Sequence, residues 1–527
     1  MVMWQRGKNA TRGRVALCVL STALVLAACG APSSDEQSAG VPDPDATLIV
    51  AWSLPVTGQL DPHNSVNYLF DFPFLSLVYD RLTQVVSGPD VAPMLAESWD
   101  FGNDGMAVDF RLRTDATFHG GGAVDATAVK RSLDRARDPQ QSKTAGTLSM
   151  IDHIEAVDAT TVRIVTNRPA WDLPQVLSTT EAAIIDPALL DSGESPAQKA
   201  AGSGPYVISD VRVGDRIVYQ RAAEYWDPEA QKSATIELWG ITDSNARLNA
   251  YRSGQVDMTY VPSSHYRDAE SIVRQPGHEF HRFSAGSFYS LDLNVASAEF
   301  ADPRVRRALN YAIDREGINE SLLNGACAPT TQPLSPGFPG SSPEAEGRYA
   351  YDPERARQLL AEAGASELSF DIMHVAGLAP YPQLVTAVQS QLADIGVSSE
   401  ILATDPSALI PGFSAGQAPA ALIDRNVRAT APSSLLGLYV NTPRYPGGVP
   451  DDFRKKITDS LDPAISGDER LSLVQQASDQ ASAEAFEVPI CSPATMVLFN
   501  SDVTGVEEMA QADFQGIYDP RYLGKTK

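Results

Sequence analysis

The N-terminal stretch constrains this chain more than any other feature, because it decides the compartment in which everything after it must fold. Arg6, Lys8, Arg12 and Arg14 make a basic segment with no acid in it. Val15 to Ala28 is then apolar except for Ser21 and Thr22. Such a run is short of the roughly 18–20 apolar residues that a membrane span needs, and it fits the hydrophobic region of an export signal. The remainder is therefore expected to fold outside the cytoplasm, where paired thiols oxidise. No later stretch approaches about 18 uninterrupted apolar residues, so the folded part is not expected to span a bilayer.

The apolar run ends in Leu26-Ala27-Ala28-Cys29-Gly30, which resembles a bacterial lipobox. That resemblance implies removal of residues 1–28 and diacylation of Cys29, giving a membrane anchor on the outer face of the cell membrane. Two acyl chains hold a protein on a membrane where one would be reversible. An ordinary signal peptide with an incidental cysteine is the other reading. Residues 29–46 are rich in Ser, Pro, Gly and Asp without apolar periodicity, as a flexible tether is.

The formal net charge is −25. Removal of the basic leader makes it more negative still. An acidic surface repels phosphate backbones, so nucleic acid is not an expected partner. With 527 residues, 43% of them hydrophobic, the chain has room for several compact units with real cores. Of the four cysteines, Cys327 and Cys491 alone fall in the folded part. An isolated pair in an oxidising compartment is expected to bridge; two buried free thiols are the alternative.

The first half reads as β-rich. Thr47 to Trp52 is strand-like, and Tyr68 to Leu82 is an apolar and aromatic helix candidate. Asn103-Asp104-Gly105 makes a turn before the alternating run Val108 to Arg113. Strands are also expected within Ile154 to Asn167, at Tyr206 to Ile208, Ile217 to Arg221 and Ile236 to Trp239. From Phe288 onward, strands alternate with helices. Asp302-Pro303 and Asp352-Pro353 are N-cap and first-turn signals. Val305, Ala308, Leu309, Ala312 and Ile313 form one apolar stripe. Ala356, Leu359, Leu360 and Ala363 form another, stopped by Gly364. Leu384 to Ile395 is a third helix. This alternation predicts an α/β lobe. Glu487-Val488-Pro489-Ile490 reads as a strand returning to the first lobe.

A set of short segments carries a resemblance along nearly the whole mature chain. They are Leu60-Asp61-Pro62, Leu95-Ala96-Glu97-Ser98-Trp99, Phe110 to Arg113 with Phe118-His119-Gly120, and Gly202-Ser203-Gly204-Pro205-Tyr206. Glu224-Tyr225-Trp226, Ser253 to Asp257, Val305 to Arg315 and Tyr351 to Ala356 complete the set. In this order and spacing the chain resembles family 5 of the bacterial extracellular solute-binding proteins, which includes oligopeptide, dipeptide and nickel binders. The resemblance implies a type II periplasmic-binding-protein-like α/β fold: two lobes on a hinge, with an extra β-rich subdomain in the first. Lobe I would take 47–82, 182–286 and 488–527, the subdomain 83–181, and lobe II 287–487. It also implies an ABC permease as partner, a monomer, and no cofactor. Trp99, Tyr225, Trp226 and Gly204-Pro205 are read as structural residues, and Arg306 and Arg307 as a solvated face.

Other functions were weighed on their chemistry. A secreted hydrolase finds no His-Glu-x-x-His or Cys-x-x-Cys motif. His278 and His281 stand three apart, but in a β-like run that argues against a metal site, and the seven histidines are otherwise scattered. Reuse of the fold for envelope regulation without transport stays open.

In peptide-binding relatives, lobe II carries a segment resembling Trp-x-x-Asp-x-x-acid-Pro whose Asp pairs with the ligand ammonium. Aligned on Pro432, this chain has Arg425 for the Trp, Arg428 for the Asp and Ala431 for the acid. Guanidinium groups there would repel an ammonium and favour carboxylate, phosphate or carbonyl oxygens, so an N-blocked, anionic or glycan-like solute is one expectation. The other is that Asp424, four residues before the aligned position, serves as the anchor for a peptide-like solute. By the same analogy, Asn67 and Tyr68, after the Leu-Asp-Pro motif, are candidate wall residues.

Overall fold

The computed structural model describes residues 41–527 except 66–67, 88–89, 103, 284–285, 427–429, 441–447 and 510–515. Two large sheets organise these residues. The lobe I sheet has seven strands in the order His278–Phe283, Thr495–Asn500, Met258–Tyr260, Thr47–Trp52, Thr235–Gly240, Arg216–Arg221 and Tyr206–Arg212. The lobe II sheet has six, in the order Cys327–Pro329, Glu487–Pro493, Ser287–Leu293, Ala420–Asn426, Ser369–Val375 and Ser398–Thr404. A separate four-stranded antiparallel sheet, from Ala96–Phe101 to Thr161–Thr166, lies within the 83–181 segment over its own apolar core of Phe110, Leu133 and Ile164.

Local chemistry explains where elements begin and end. Asp302 accepts a hydrogen bond from the Arg304 amide at 2.8 Å, and Asp352 from the Arg355 amide at 2.8 Å, with a proline inside each first turn. Gly364 ends the second helix with φ +72°, in the left-handed region where a side chain is strained. Leu309, Leu384, Val388 and Leu422 then pack in one buried lobe II core.

The helix expected over 68–82 stops at Leu75. Residues 77–80 leave helical geometry because another segment takes their carbonyls: Gly204 N donates to Val78 O at 2.8 Å and Tyr206 N to Leu77 O at 3.0 Å. The approach is so close that a Cβ at Gly202 would stand 2.2 Å from Val78 O. The Gly-Ser-Gly-Pro-Tyr motif is thus a docking strip for this segment.

Behind the strip lies a dry ion pair. Asp80, fully buried, accepts from Arg521 at 2.8 Å, the Tyr225 hydroxyl at 2.9 Å, Ser203 at 3.1 Å and the Trp226 indole at 3.2 Å. The aromatic pair Tyr225-Trp226 is therefore structural, closing lobe I on its own C-terminal segment.

Two sequence expectations are corrected. Arg306 is not on a solvated face. It is 6% exposed and donates to the carbonyls of Phe300, Ala301, Glu484 and Ala485, while half-buried Arg307 donates to Ala483 O. Charged ends beside an apolar stripe are drawn in when orphan carbonyls lie opposite. The return to lobe I also comes later than residue 488. Glu487–Pro493 pairs with Ser287–Leu293 and Cys327–Pro329 in the lobe II sheet, and Thr495–Asn500 is the returning strand.

The chain consequently crosses between the large sheets twice, from Phe283 to Ser287 and from Pro493 to Thr495. The crossings are neighbours. Phe283 faces Thr495 on the lobe I side, and Tyr289 faces Cys491 on the lobe II side. Cys327 and Cys491 form a disulfide between adjacent strands, with Cα atoms 5.5 Å apart. His278 and His281 lie on one strand, where positions three apart project to opposite faces and cannot chelate one ion.

Replacing Asp80 by Asn keeps the shape but leaves the Arg521 guanidinium buried without its counter-ion. We expect a loss of about 3–5 kcal/mol in unfolding free energy, read as a fall in the urea midpoint. A loss under about 1 kcal/mol would show that the pair is not the anchor of lobe I.

Candidate functional site: a polar cleft between the lobes

The lobes touch again far along the chain from the hinge. Ser433 of lobe II donates to Asp172 of the subdomain. Trp171 N donates to Leu461 O at 3.2 Å, and the Arg470 guanidinium lies 3.9 Å from the centre of the Trp171 ring. Gly105 packs so tightly on Pro463 that a Cβ there would sit 2.5 Å from Pro463 Cγ. The subdomain and lobe II are thus in contact at a place separate from the crossings.

Beside the latch is a cavity of about 490 Å³, lined by Arg168, Asp172, Gln175 and Glu181 from the subdomain and by Ser433 and Gly437 from lobe II. That is enough for a compact solute. Asp172 is fully buried and neutralised at 2.8 Å by Arg168, one helical turn earlier in sequence, so Ser433 meets a carboxylate whose charge is balanced. Gln175 lies on the short helix Leu173–Val176 and is 2% exposed. Neither its amide oxygen nor its amide nitrogen has a hydrogen-bond partner among the described residues, and the same holds for the hydroxyl of buried Thr180. A buried amide left without partners costs about 1–3 kcal/mol.

A second group of polar side chains, outside the lining of this cavity, lies at strand ends of lobe II. Asp424 stands near the C-terminal end of Ala420–Asn426, and the Tyr381 hydroxyl donates to it at 2.6 Å. Tyr381 opens the helix that follows the parallel strand Ser369–Val375, so both sit at strand carboxyl ends, where α/β sheets bind ligands. Tyr289 packs edge-on against Tyr381, with ring centres 5.8 Å apart. Burial, then Tyr260 and Asp424, push the Tyr289 phenol above its usual range. Tyr260 in turn packs on Trp52 and Tyr518, and the buried Trp52 indole N–H has no partner among the described residues.

Arg425 does not stand where a ligand would meet it. It is 1% exposed and directed into lobe II, where Nε reaches Asp292 at 2.9 Å and Nη2 reaches Asp292 at 2.6 Å and Glu487 at 3.3 Å. Strand alternation puts it on the face opposite Asp424, and two carboxylates on neighbouring strands there need a counter-ion. Asn67, Arg428 and Cys29 lie outside the described residues, as does the side chain of Tyr68. Among the described residues no group of three His, Cys, Asp or Glu converges as a metal site would. Gln175, Thr180 and Glu181 carried no motif. They share the wholly buried run Leu173 to Ile185 with Ser178 and Thr179, and its sequence does not mark them out.

Comparison with known proteins follows from this geometry. Residues 90–446 match the family described as bacterial extracellular solute-binding proteins, family 5 Middle. The glutathione-binding protein GsiB of Shigella dysenteriae is 27% identical over 444 residues, covering 80% of this chain and 84% of that protein. Among solved structures, the periplasmic binding protein DppA from Helicobacter pylori, in complex with the peptide STSA, superposes with a TM-score of 0.77 at 22% identity, covering 92% of this chain and 98% of that one. AgaA from A. tumefacien, in complex with agropinic acid, gives 0.76 at 23% identity, covering 92% and 99%. At these identities the two structures establish the fold, that of type II periplasmic binding proteins.

Replacing Gln175 with Met removes two unsatisfied polar atoms at nearly constant volume. We expect the solute-free protein to gain about 1–2 kcal/mol in unfolding free energy while solute affinity falls at least about tenfold. Urea unfolding and calorimetry on the same preparation check both signs.

Proposed function

The chain belongs to the bacterial extracellular solute-binding proteins of family 5, and on that premise we propose that it is the lipid-anchored, extracytoplasmic receptor of an ABC importer, closing its two lobes around a small polar solute. The observation that carries this reading is the polar cavity walled by both moving parts, with a buried amide lacking partners on one wall and the Ser433 turn on the other. A guest that bonds to both walls interacts more strongly with the closed form than with the open one, and that difference is what shifts the population. The closed form is then the one a permease recognises. No bond in the solute is made or broken.

The lining favours a neutral or zwitterionic solute rich in hydrogen-bonding groups. Arg425 is neutralised inside lobe II and offers an anionic solute no anchor, while Arg428, the other expected one, lies outside the described residues. The charged residues at the cavity are Arg168, Asp172 and Glu181, and Asp424, bonded to Tyr381, is the further carboxylate that this reading brings to the cleft. A peptide-like solute with its ammonium near Asp424 fits this balance. GsiB and DppA, whose names and bound ligand refer to glutathione and a peptide, are in keeping with it.

Mass spectrometry of small molecules released from the untagged protein should identify the solute. Calorimetry with glutathione and with a mixed tripeptide pool should then give saturable binding, weakened at least about tenfold in Asp424→Ala, as loss of a charge-assisted hydrogen bond requires. Solute turnover, or no binding together with no contraction in solution scattering, would overturn the reading. Anchoring is tested separately: Cys29→Ser should move the protein from the membrane fraction to the soluble extracellular fraction.

A further inference from the structure

Both large sheets turn the carboxyl ends of their parallel strands towards the crossings. In lobe I, Thr47–Trp52 runs parallel to Thr235–Gly240 and to Met258–Tyr260. Tyr260, the last residue of its strand, pairs with Val497, close to the start of Thr495–Asn500, where the return crossing arrives. In lobe II, Ala420–Asn426 runs parallel to Ser369–Val375, and its last residue, Asn426, pairs with Ser287, where the other crossing arrives. Both edges therefore border the place where lobe meets lobe, and strand carboxyl ends are where α/β sheets bind ligands.

Arg247, on the helix Ser244–Arg252, stands at the lobe I edge and is 2% exposed. Its Nε donates to Tyr260 O at 3.1 Å, and its Nη1 to Ile241 O at 2.7 Å and Thr242 O at 3.3 Å. Nη2 carries two further N–H groups, and no described residue accepts from either. Among the described residues no carboxylate pairs with this guanidinium. Asp243, the acid that acts on it, caps the helix and accepts from Ala246 N at 2.7 Å. Burial, opposed by Tyr260, Tyr518 and Asp243, holds the guanidinium below its usual 12.5. Other interior arginines differ. Arg425 and Arg521 hold carboxylates, and Arg315 and Arg470 bond through both terminal nitrogens. The Arg247 guanidinium lies 5.4 Å from the centre of the Tyr260 ring, and Trp52, whose indole N–H also lacks a partner among the described residues, packs on the same ring. The lobe I edge is rich in donors and short of acceptors.

We propose that Arg247 binds a carboxylate of the solute through its unused Nη2 N–H pair, so that peptide-like guests are taken as zwitterions, with the carboxylate at the lobe I edge and the ammonium at the lobe II edge near Asp424. The inference rests on the proposed function, in which a peptide-like solute bridges the lobes. A buried cation with two unused donors is an incomplete site, and a carboxylate completes it with charge-assisted bonds. The formal net charge of −25 works against any anion, so a preference for the carboxylate has to come from a local cation. Lysine cannot replace the guanidinium here. A single ammonium cannot hold the carbonyls of Ile241 and Tyr260 and still present a planar pair of donors. A guest held at both edges also ties lobe to lobe, so the two charges that select it favour closure as well.

Calorimetry with a mixed tripeptide pool, and with the same pool as C-terminal amides, tests this. In the unmodified protein the carboxylate form should bind at least about tenfold more tightly, as loss of a charge-assisted contact requires. In Arg247→Lys, which keeps the charge and is the variant expected to fold, that ratio should fall at least about threefold. In Arg247→Met it should approach one. The ratio is read within one variant, so a loss of stability alone does not move it. Asp424→Ala should weaken both forms alike and leave the ratio as it was. Equal affinity for the two forms in the unmodified protein, or an unchanged ratio in Arg247→Lys, overturns the inference and leaves the proposed function standing. Failure of both forms to bind overturns the two together.

Discussion

Everything in this structure depends on the chain crossing between its two large sheets by adjacent strands. Phe283 pairs with Thr495 on the lobe I side of the crossings and Tyr289 with Cys491 on the lobe II side, so both crossings leave from neighbouring strands. A packed face would resist bending through its whole buried area, whereas two neighbouring strands resist only through a few backbone torsions. The disulfide between Cys327 and Cys491 lies on the lobe II side of that line and ties the edge strand to the strand that carries the return crossing.

Each lobe is stiffened by arginine in a dry setting. In lobe I, Asp80 and Arg521 join a segment near the start of the chain to one near its end. In lobe II, Arg425 joins three strands, and Arg315 collects carbonyls from four separate places. Such groups add little net stability over a well-packed apolar core, because desolvation offsets most of the attraction. They do exclude other arrangements, since any other packing would leave a buried charge or carbonyl alone. A receptor whose lobes move as bodies needs interiors of that kind.

The sequence made some of this legible and hid the rest for identifiable reasons. Aspartate before proline at 302 and 352, and glycine at 364, announce helix ends through local chemistry, and the structure has them there. The ordered motifs implied the two-lobed fold, and the packing of Gly202, Gly204, Tyr225 and Trp226 around Asp80 explains why those residue types stand at those positions. Arg425 was misread because Ala420–Asn426 is buried on both faces and its composition does not say which face a residue takes. The same ambiguity moved the lobe boundary, since Glu487–Pro493 is buried nearly throughout and shows no alternation. Gln175 gave no warning because a single amide in an apolar run matches no motif. Its meaning appears only when the absence of partners around it is known.

That absence also bears on why an empty receptor should not stay shut. In the closed form the Gln175 amide is dry and without partners among the described residues, a state worse than the hydrated one by about 1–3 kcal/mol. Opening parts Ser433 from Asp172 and lets water reach the amide, so it weakens the latch but relieves that penalty. A solute that satisfies the amide removes the penalty without opening the lobes. On the proposed reading the residue that would recognise the guest would also disfavour closure without it, and a difference of this size would shift the balance between open and closed forms by roughly fivefold to a hundredfold. The design is economical in one physical sense: a polar group left unsatisfied inside a moving interface makes closure conditional on occupancy, with no separate sensor.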